Sequence, residues 1–484
     1  MAESEEAGRL ELPAETMRAL GYRAIDLLVA RWAGERELPV TRHTPRAPLA
    51  ARLDEPPPEG PADPFAVLER FERDVAPFQG HIGHPRFFAF VPSPSNFVGV
   101  VADALAAGLN PFCGTWLEGP GPAQVELVVV DWLRRLCGLP EGAGGLFVSG
   151  GSVANLTALV VAREERLAAP LERGTAYLCD QAHSSVERAL RVLGLPAANV
   201  RKLPADADWR LPVAALRAAL AADRAAGFAP FCVVASAGTT NTGAVDPLPE
   251  LADLCAAEGL WLHVDGAYGA AAVLAERGRA ALAGLERADS LSLDPHKWLF
   301  QPFACGCVLL REGHLLRQTF HVLPEYLQDV DRGLEEVNFC DLGIELTRGF
   351  RALKLWLSLQ VFGLAAFRRA VERGIELAER AEALLRAAPE RWRVVAPASL
   401  GVVCFRWAPP GLPEAALERA NRGVSDGLLA DGTAFASSTR LGGRTVLRLC
   451  TINPRTTEED LAWTLERMAA AAERAHAGND EEER

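Results

Sequence analysis

Short, almost wholly apolar runs alternate with helical patterns through most of the chain beyond about residue 100. The runs are residues 146–148, 176–178, 231–235, 260–264 and 307–310. Strands that are apolar on both sides belong in a sheet covered by helices on both faces, and helices between successive strands make such a sheet mostly parallel. The sequence therefore predicts an α/β protein whose ligands gather beyond the carboxyl ends of the strands.

The two ends of the 484-residue chain have a different pattern. Helical spacing follows Pro13 and recurs over 64–77, with a proline-rich connector at 45–61 between them. Because a few amphipathic helices bury too little surface to fold alone, residues 1–78 are predicted to pack on another surface, for which a partner subunit is a candidate. Beyond Gly363, helical and strand patterns predict a small α+β domain. The predicted units are thus 1–78, a large domain at 79–364, the small domain at 365–476, and a charged, disordered tail at 477–484.

Charge and cysteine content narrow the possible partners and surroundings. The sequence has 50 Lys and Arg against 63 Asp and Glu, a net charge of −13, which repels nucleic acid and anionic membrane surfaces. The acidic start lacks the features of a signal peptide, and no stretch is apolar enough to cross a bilayer. Ten scattered cysteines without a C-x-x-C pair predict reduced core thiols in a cytoplasmic protein. Cys305 and Cys307 fit burial on a strand better than metal binding, so no metal is expected.

The most informative segment is 290–300, where an apolar, strand-like stretch is interrupted by Asp294-Pro295-His296-Lys297 and then resumes. A lysine in such surroundings either extends its amine to water or loses its charge. An uncharged amine is the nucleophile that forms a Schiff base with an aldehyde. From this segment alone, both interpretations of Lys297 stay open.

A carboxylate closes the apolar run at 260–264, and small residues follow it. Asp265 would lie at the carboxyl end of a strand, where an ionised aspartate can keep a pyridine nitrogen protonated. Ala267 would leave room for the face of the ring. In isolation, a helix N-cap is the commoner role of such an aspartate. Its occurrence together with Lys297 favours the cofactor role.

Two further turns follow predicted strands. Gly150, Gly151 and Ser152 separate a strand from a helix, so their N–H groups and a hydroxyl can meet at a phosphate, although a plain strand-to-helix turn has the same pattern. His183, which also follows a predicted strand, would lie at the same edge of the sheet and stack on a cofactor ring. Capping a helix or packing in the core is the ordinary alternative for His183, and equally for His296.

Together these segments resemble the group II pyridoxal-phosphate decarboxylases of fold type I, which include aromatic-amino-acid, glutamate and diaminobutyrate decarboxylases. The resemblance extends from about His84 to about Arg455 and is carried by the sequences at 180–185, 261–265 and 294–298. It implies a mostly parallel sheet of the seven-stranded type flanked by helices. It also implies a homodimer with the active site at the subunit interface and the N-terminal helices exchanged between subunits.

The resemblance assigns roles to individual residues. Lys297 is expected to form the Schiff base with pyridoxal 5'-phosphate, Asp265 to face the pyridine nitrogen, and His183 to stack on the ring as a base. The remaining implied cofactor contacts are Gly150, Gly151, Ser152, Thr240, Ala267, Asp294 and His296. The implied substrate contacts are Phe90, Pro92, Phe112 and Arg448, the last of which would meet the substrate carboxylate.

Tyr326 matches the tyrosine of the family's mobile catalytic loop, a general acid that protonates the substrate carbon after carbon dioxide leaves. Related aldehyde synthases have phenylalanine there, so Tyr326 favours simple decarboxylation. Two positions depart from the commonest pattern. Asp294 stands where aromatic-amino-acid members often have asparagine, and the turn at 150–152 is poorer in serine; both variants fit the wider family.

The predicted function is decarboxylation of an L-amino acid to the corresponding amine and carbon dioxide. Because segments 86–92 and 112–116 are largely apolar, an aromatic or bulky apolar substrate is expected, although these aromatic residues are equally good core residues. An aldehyde synthase, another fold type I activity, and a decarboxylase of glutamate or diaminobutyrate stay open as alternatives. A non-catalytic relative is a further alternative, but it would not require Lys297, Asp265, His183 and Tyr326 together.

Overall fold

Helices and strands alternate along the chain as the apolar runs predict. The computed structural model describes residues 10–322, 333 and 335–480. The α-helices are α1 (Ala14–Ala33), α2 (Arg46–Leu53), α3 (Pro64–Asp74), α4 (Phe97–Leu109), α5 (Pro120–Leu136), α6 (Gly151–Arg166), α7 (Ser184–Val192), α8 (Val213–Ala225), α9 (Leu248–Glu258), α10 (Glu276–Ala281), α11 (His314–Phe320), α12 (Ala352–Phe362), α13 (Leu364–Ala387), α14 (Glu414–Asp431) and α15 (Glu458–Asp480). The strands are β1 (Gly144–Val148), β2 (Gly174–Cys179), β3 (Val200–Leu203), β4 (Ala229–Ser236), β5 (Trp261–Asp265), β6 (Ser290–Leu293), β7 (Gly306–Leu310), β8 (Trp392–Ser399), β9 (Val402–Trp407), β10 (Ser437–Leu441) and β11 (Arg444–Cys450).

The large sheet has seven strands in the order β1-β7-β6-β5-β4-β2-β3. Strands β2 to β6 pair in parallel, whereas β7 pairs antiparallel with both β6 and β1. Every residue of the central strand β5 is buried, with Leu262 and Val264 in one apolar layer and Trp261 in the other. The predicted mostly parallel sheet with both faces covered is therefore confirmed.

A second, antiparallel sheet forms the C-terminal part of the fold. Its four strands have the order β10-β11-β9-β8 and share an apolar core with α13, α14 and α15. Phe88, which falls within the predicted large domain, is fully buried in this second core. Its N–H donates to the carbonyl of Phe435 and its carbonyl accepts from the N–H of Cys450. The segment around Phe88 thus packs on the second sheet, a long-range contact that the sequence pattern does not reveal.

The N-terminal segment is helical, as predicted, but it lacks a core of its own. None of the 20 residues of α1 is buried, and α1 packs on α3. The predicted connector at 45–61 contains the additional helix α2. At the other end, α15 continues to Asp480, so residues 477–480 are helical rather than part of a disordered tail, and 481–484 lie outside the described residues.

A buried ion pair ties the segment at 112–116 to the large sheet. Arg348 and Glu126 are both almost completely buried, with Nη2 of Arg348 2.6 Å from Oε1 of Glu126. The guanidinium also donates to the carbonyls of Cys113 and Phe147, and Glu126 accepts the N–H of Phe147. Breaking such a pair leaves an uncompensated buried charge, which costs about 3–5 kcal/mol. The ion pair therefore fixes the backbone at Cys113 against β1.

All ten cysteines are buried and unpaired, Cys305 and Cys307 among them, as expected for core thiols. Across the described ranges, no helix combines the length and the hydropathy that a bilayer crossing requires.

Candidate active site

A cavity of about 400 Å³ lies at the carboxyl ends of the parallel strands, a size that suits a small cofactor. Most of the residues that line this cavity come from the turns that follow β1, β2, β4, β5 and β6. All ten predicted cofactor residues line it: Gly150, Gly151, Ser152, His183, Thr240, Asp265, Ala267, Asp294, His296 and Lys297. The structure thus brings together residues as far apart in the sequence as Gly150 and Lys297.

Asp265 ends the central strand and is buried. Its Oδ2 accepts a hydrogen bond from Nδ2 of Asn155 at 3.0 Å. Its Oδ1 accepts from Oγ of Ser292 at 3.1 Å and from the N–H of Ala267 at 3.2 Å. Three donors stabilise the negative charge of a carboxylate, so Asp265 can hold a proton on a facing ring nitrogen.

Lys297 lies in the turn that follows β6, with its side chain about one-quarter exposed (23%). Its Nζ is 3.1 Å from Oδ2 of Asp294, whose side chain is buried. The sequence left open whether the amine reaches water or stays inside; it lies at the cavity, beside a carboxylate. Oδ1 of Asp294 has no hydrogen-bond partner in the described part of the chain, so this carboxylate keeps acceptor capacity within the site.

His296 approaches the same carboxylate oxygen of Asp294 as Lys297 does. Its Nδ1 accepts the N–H of Cys305 at 3.2 Å, and its Nε2 is 3.5 Å from Oδ2 of Asp294. Burial lowers the pKa of His296, against the opposing effect of the nearby Asp294 carboxylate. With Nδ1 occupied as an acceptor, the neutral ring carries its proton on Nε2, which faces the cavity residues.

His183 caps a helix and also lies at the cavity. It is the N-cap residue of α7, where its Nδ1 accepts the N–H of Ser185 at 3.3 Å and lies 2.8 Å from Oγ of Ser185. Its ring also lines the cavity and is exposed there. Desolvation lowers its pKa, so the neutral imidazole is favoured.

The turn before α6 is a cradle that side chains would fill. A Cβ on Gly151 would lie 2.8 Å from Cβ of Ala267 and 2.9 Å from Oδ2 of Asp294. A Cβ on Gly306 would lie 2.4 Å from Cα of Gly150. The backbone N–H groups at the start of α6 therefore stay accessible to an anion, which the helix dipole attracts. With an amine and an aspartate across the same cavity, these residues fit pyridoxal phosphate.

The predicted substrate residues lie outside the lining of this cavity. Phe90 is 58% exposed and packs edge to face with Phe435, while Pro92 is buried and Phe112 is half-buried. Nη1 of Arg448 donates to the carbonyl of Phe90 at 2.6 Å, so its guanidinium holds the Phe90 segment. Tyr326 lies outside the described residues.

Sequence reasoning missed several lining residues, notably Asn155, Ser185 and Tyr268. Asn155 lies one helical turn after the glycine turn, and Tyr268 stacks on Trp298 with the ring planes 8° apart. Ser185 lies two residues after His183, in the DQAHSS segment. The available signal for Asn155 was a polar residue one turn into a predicted helix that follows the glycine turn.

The model of the pyridoxal-dependent decarboxylase conserved domain matches residues 48–408. The chain belongs to the pyridoxal-dependent decarboxylase family. This decarboxylase is 48% identical to an aromatic-L-amino-acid decarboxylase of Bacillus atrophaeus, over 96% of this chain and 97% of the relative. It is 31% identical to a phenylacetaldehyde synthase of Arabidopsis thaliana, over 93% and 94% of the two chains. The crystal structure of Oryza sativa TDC with PLP and tryptamine superposes with a TM-score of 0.91 at 31% identity, covering 95% of this chain and 98% of that one.

These comparisons confirm the predicted family, the fold type, the cofactor and the enzyme class, an amino-acid decarboxylase. The resemblance was carried by three short segments, and the similarity extends over nearly the whole chain.

A fully buried histidine lies beneath the floor of the cavity. His263, on β5, has Nε2 3.0 Å from Oδ1 of Asn155 and Nδ1 2.9 Å from Oγ of Ser290. Burial lowers its pKa to about 4, despite the neighbouring Asp265 carboxylate. His263 is therefore neutral in the folded enzyme near pH 7.

We expect this buried histidine to weaken the fold in mild acid. The unfolded chain binds a proton on His263 near pH 6.5 and the folded chain only near 4, so stability from this group is present above 6.5 and is lost as the pH falls towards 4. By pH 5 the loss is roughly 2 kcal/mol. Chemical denaturation at pH 7 and pH 5 measures it, and His263→Gln should reduce the difference between the two values by that amount.

The wild-type pH dependence has other contributors, since burial also lowers the pKa values of His81 and His84 to about 4. The difference between variant and wild type isolates His263. The exposed His314→Gln serves as the control and should keep the wild-type dependence. An unchanged pH dependence in His263→Gln would contradict the assignment.

Proposed function

We propose that this decarboxylase acts on aromatic or bulky apolar L-amino acids and releases carbon dioxide and the corresponding amine. One observation carries the proposal: a single cavity holds the amine of Lys297, the carboxylate of Asp265 and the ring of His183. Next to it, the ring of Phe303 is 56% exposed and lies 5.0 Å from the ring of His296. An exposed aromatic ring at the site favours an apolar substrate side chain, and the names of the relatives support the same class.

We propose that the ten cavity residues hold pyridoxal phosphate. Lys297 would hold its aldehyde carbon, the turn at 150–152 with His296 its phosphate, and Asp265 its ring nitrogen, while His183 and Ala267 would border the ring and Thr240 and Asp294 would complete the contacts. When bound, pyridoxal phosphate withdraws electrons from the substrate carbon that loses carbon dioxide.

The chain supplies orientation and proton control. Asp265 keeps a fixed negative charge at the floor, and Asp294 positions the Lys297 amine at 3.1 Å. Phe90, Pro92 and Phe112 would border the substrate side chain, and Arg448 would attract the substrate carboxylate through Nη2, which has no partner within the described ranges. The hydroxyl of Tyr326 would return a proton to the substrate carbon.

Only three of the 50 basic residues Lys and Arg are lysines, which makes a trapping experiment decisive. Reduction of the holoenzyme with borohydride, followed by peptide mass mapping, is expected to place the pyridoxyl group on Lys297. Lys297→Ala should lose amine production from a panel of amino acids by more than about a thousandfold. Lys202→Ala, which alters an exposed lysine paired with Glu187, is the matched control. An adduct on Lys202 or Lys354 would refute the proposed site.

The choice between amine and aldehyde depends on Tyr326. We expect the wild-type enzyme to yield amine in a one-to-one ratio with carbon dioxide. Tyr326→Phe removes the proton donor, so amine formation should fall by about a hundredfold. Dioxygen would then oxidise the electron-rich carbon, and aldehyde, ammonia and hydrogen peroxide would accumulate together. The exposed Tyr22→Phe should behave as wild type. Aldehyde as the main wild-type product would favour a synthase instead.

We further propose that the decarboxylase is a cytoplasmic homodimer with its active site at the interface. Its ten free, buried cysteines suit a reducing compartment. On α1, Tyr22, Ile25 and Val29 form an exposed apolar stripe, and on α4 so do Val101, Leu105 and Leu109. Apolar stripes of this kind on neighbouring helices are typical of surfaces that a second subunit covers.

Light scattering tests the assembly directly. The wild-type enzyme is expected at twice the chain mass of 52.0 kDa. Val29→Arg places a charge in the stripe on α1, so it should shift the mass towards a single chain and lower activity. Val192→Arg, which alters an exposed apolar residue at the end of α7, should stay dimeric. A fully active wild-type monomer would rule out the interface.

A further inference from the structure

Asn155 connects the two groups proposed to act on the cofactor ring. It lies on α6 and is completely buried. Its Nδ2 donates both to Oδ2 of Asp265 and to Oγ of Ser185, each at 3.0 Å. Its Oδ1 lies 3.0 Å from Nε2 of His263. One amide therefore touches the carboxylate at the floor of the cavity, the serine next to His183 and a buried histidine beneath both.

The direction of these hydrogen bonds follows from the chemistry of the partners. A carboxylate only accepts, so the NH₂ group of Asn155 faces Asp265 and the amide oxygen faces His263. An amide oxygen also only accepts, which places a proton on Nε2 of His263. Because burial keeps this ring neutral, its Nδ1 is an acceptor. The hydroxyl of Ser290 donates to it at 2.9 Å and accepts from Nε1 of Trp261 at 2.7 Å.

The chain of hydrogen bonds continues in the same donor-to-acceptor direction towards the cavity. Oγ of Ser185 accepts from Asn155 and lies 2.8 Å from Nδ1 of His183. The backbone N–H of Ser185 also points at that nitrogen, at 3.3 Å. Because the backbone N–H can only donate, Nδ1 of His183 is the acceptor, so the hydroxyl of Ser185 donates to it as well. The neutral ring of His183 then carries its proton on Nε2.

We infer that Asn155 is a positioning residue that orients Asp265 and, through Ser185, fixes His183 as the tautomer protonated on Nε2. The inference rests on the roles proposed above for Asp265 and His183. It adds the element that couples them: a chain of donors that starts at Trp261 and passes through Ser290, His263 and Asn155. His183 consequently offers an N–H donor, rather than a bare nitrogen, from the edge of its ring opposite Ser185.

Asn155→Asp should disturb the site more than the similar size of the two side chains suggests. A carboxyl group has at most one proton to donate, so the variant would place a second carboxyl about 3 Å from Asp265 and could not supply both hydrogen bonds that Asn155 gives to Asp265 and Ser185. His263 would still find an acceptor. The disturbance should therefore reach Asp265 and His183 while the fold beneath them is kept.

NMR of histidine side chains labelled with ¹³C and ¹⁵N measures the tautomer directly, in the full-length chain with and without pyridoxal phosphate. The signal of His183 is assigned by its loss in His183→Gln. We expect the wild-type ring to be protonated on Nε2 and Ser185→Ala to give a mixture of tautomers. Ser184→Ala, which alters the neighbouring exposed serine, should keep the wild-type spectrum. Asn155→Asp should change the His183 signal in the same sense as Ser185→Ala.

Two results would overturn the inference. One is a wild-type His183 protonated on Nδ1, a measurement for which His183→Gln is needed only to assign the signal. The other is a His183 signal that Ser185→Ala and Asn155→Asp leave unchanged while circular dichroism shows both variants folded. Neither depends on the trapping of Lys297, so a failure of the coupling is distinguishable from a failure of the proposed function.

Discussion

A negative charge on Asp265, held at the end of the central strand, is the constraint around which the site is built. Burying a carboxylate costs several kcal/mol unless hydrogen bonds replace the lost water. Here the donors come from three elements: Asn155 on α6, Ser292 on β6, and the backbone N–H of Ala267 just beyond β5. The parallel pairing of β5 with β6 sets Asp265 opposite Ser292. A shift of one residue in that register would turn the carboxylate to the other face of the sheet, so strand order and register are part of the chemistry.

A cationic side chain at the cavity and a second one close to it are lysines rather than arginines. The chain uses arginine for nearly all its cations, yet it has lysine at two positions close to the cavity. Lys297 supplies a primary amine, which a guanidinium cannot replace in reaction with an aldehyde. Lys354 is buried, pairs with Asp103 at 2.9 Å, and donates to the carbonyls of Pro302 and Phe303. A compact ammonium fits such a ring of oxygens better than a planar guanidinium, and it holds the backbone that follows Lys297.

The sequence predicted the residues that follow apolar strands, because the end of a strand is visible in a single sequence. Asp265, Lys297, His183 and the turn at 150–152 were found in this way, and the parallel sheet places them at one edge. Asn155 was not found, because it lies within a helix and faces His263 only once β5 lies at the centre of the sheet. The scarcity of lysine was a further signal, since the sequence contains only Lys202, Lys297 and Lys354.

The sequence pattern also failed to predict strands in which buried and exposed residues are mixed. In β3 only Val200 is buried and Lys202 is exposed, since β3 is an edge strand of the large sheet. Its sequence lacks the wholly apolar run that marked the inner strands. The contact of Phe88 with Phe435 and Cys450 joins residues more than 300 positions apart, and nothing in the local pattern specifies such a partner. What stays unpredictable from a single sequence is therefore the pairing of distant segments.

The floor of the cavity and the segments of Phe90 and Phe112 are held by different supports. The floor of the cavity is made by strand ends and the start of α6, whose positions are over-determined by the sheet and by buried hydrogen bonds. The segment of Phe90 is held differently, by Phe435 and by the guanidinium of Arg448 on the small sheet, and the segment of Phe112 by the ion pair of Glu126 with Arg348. Loops on separate supports can change without disturbing the floor. Relatives named as a decarboxylase and a phenylacetaldehyde synthase are similar to this chain over more than nine-tenths of its length at 48% and 31% identity.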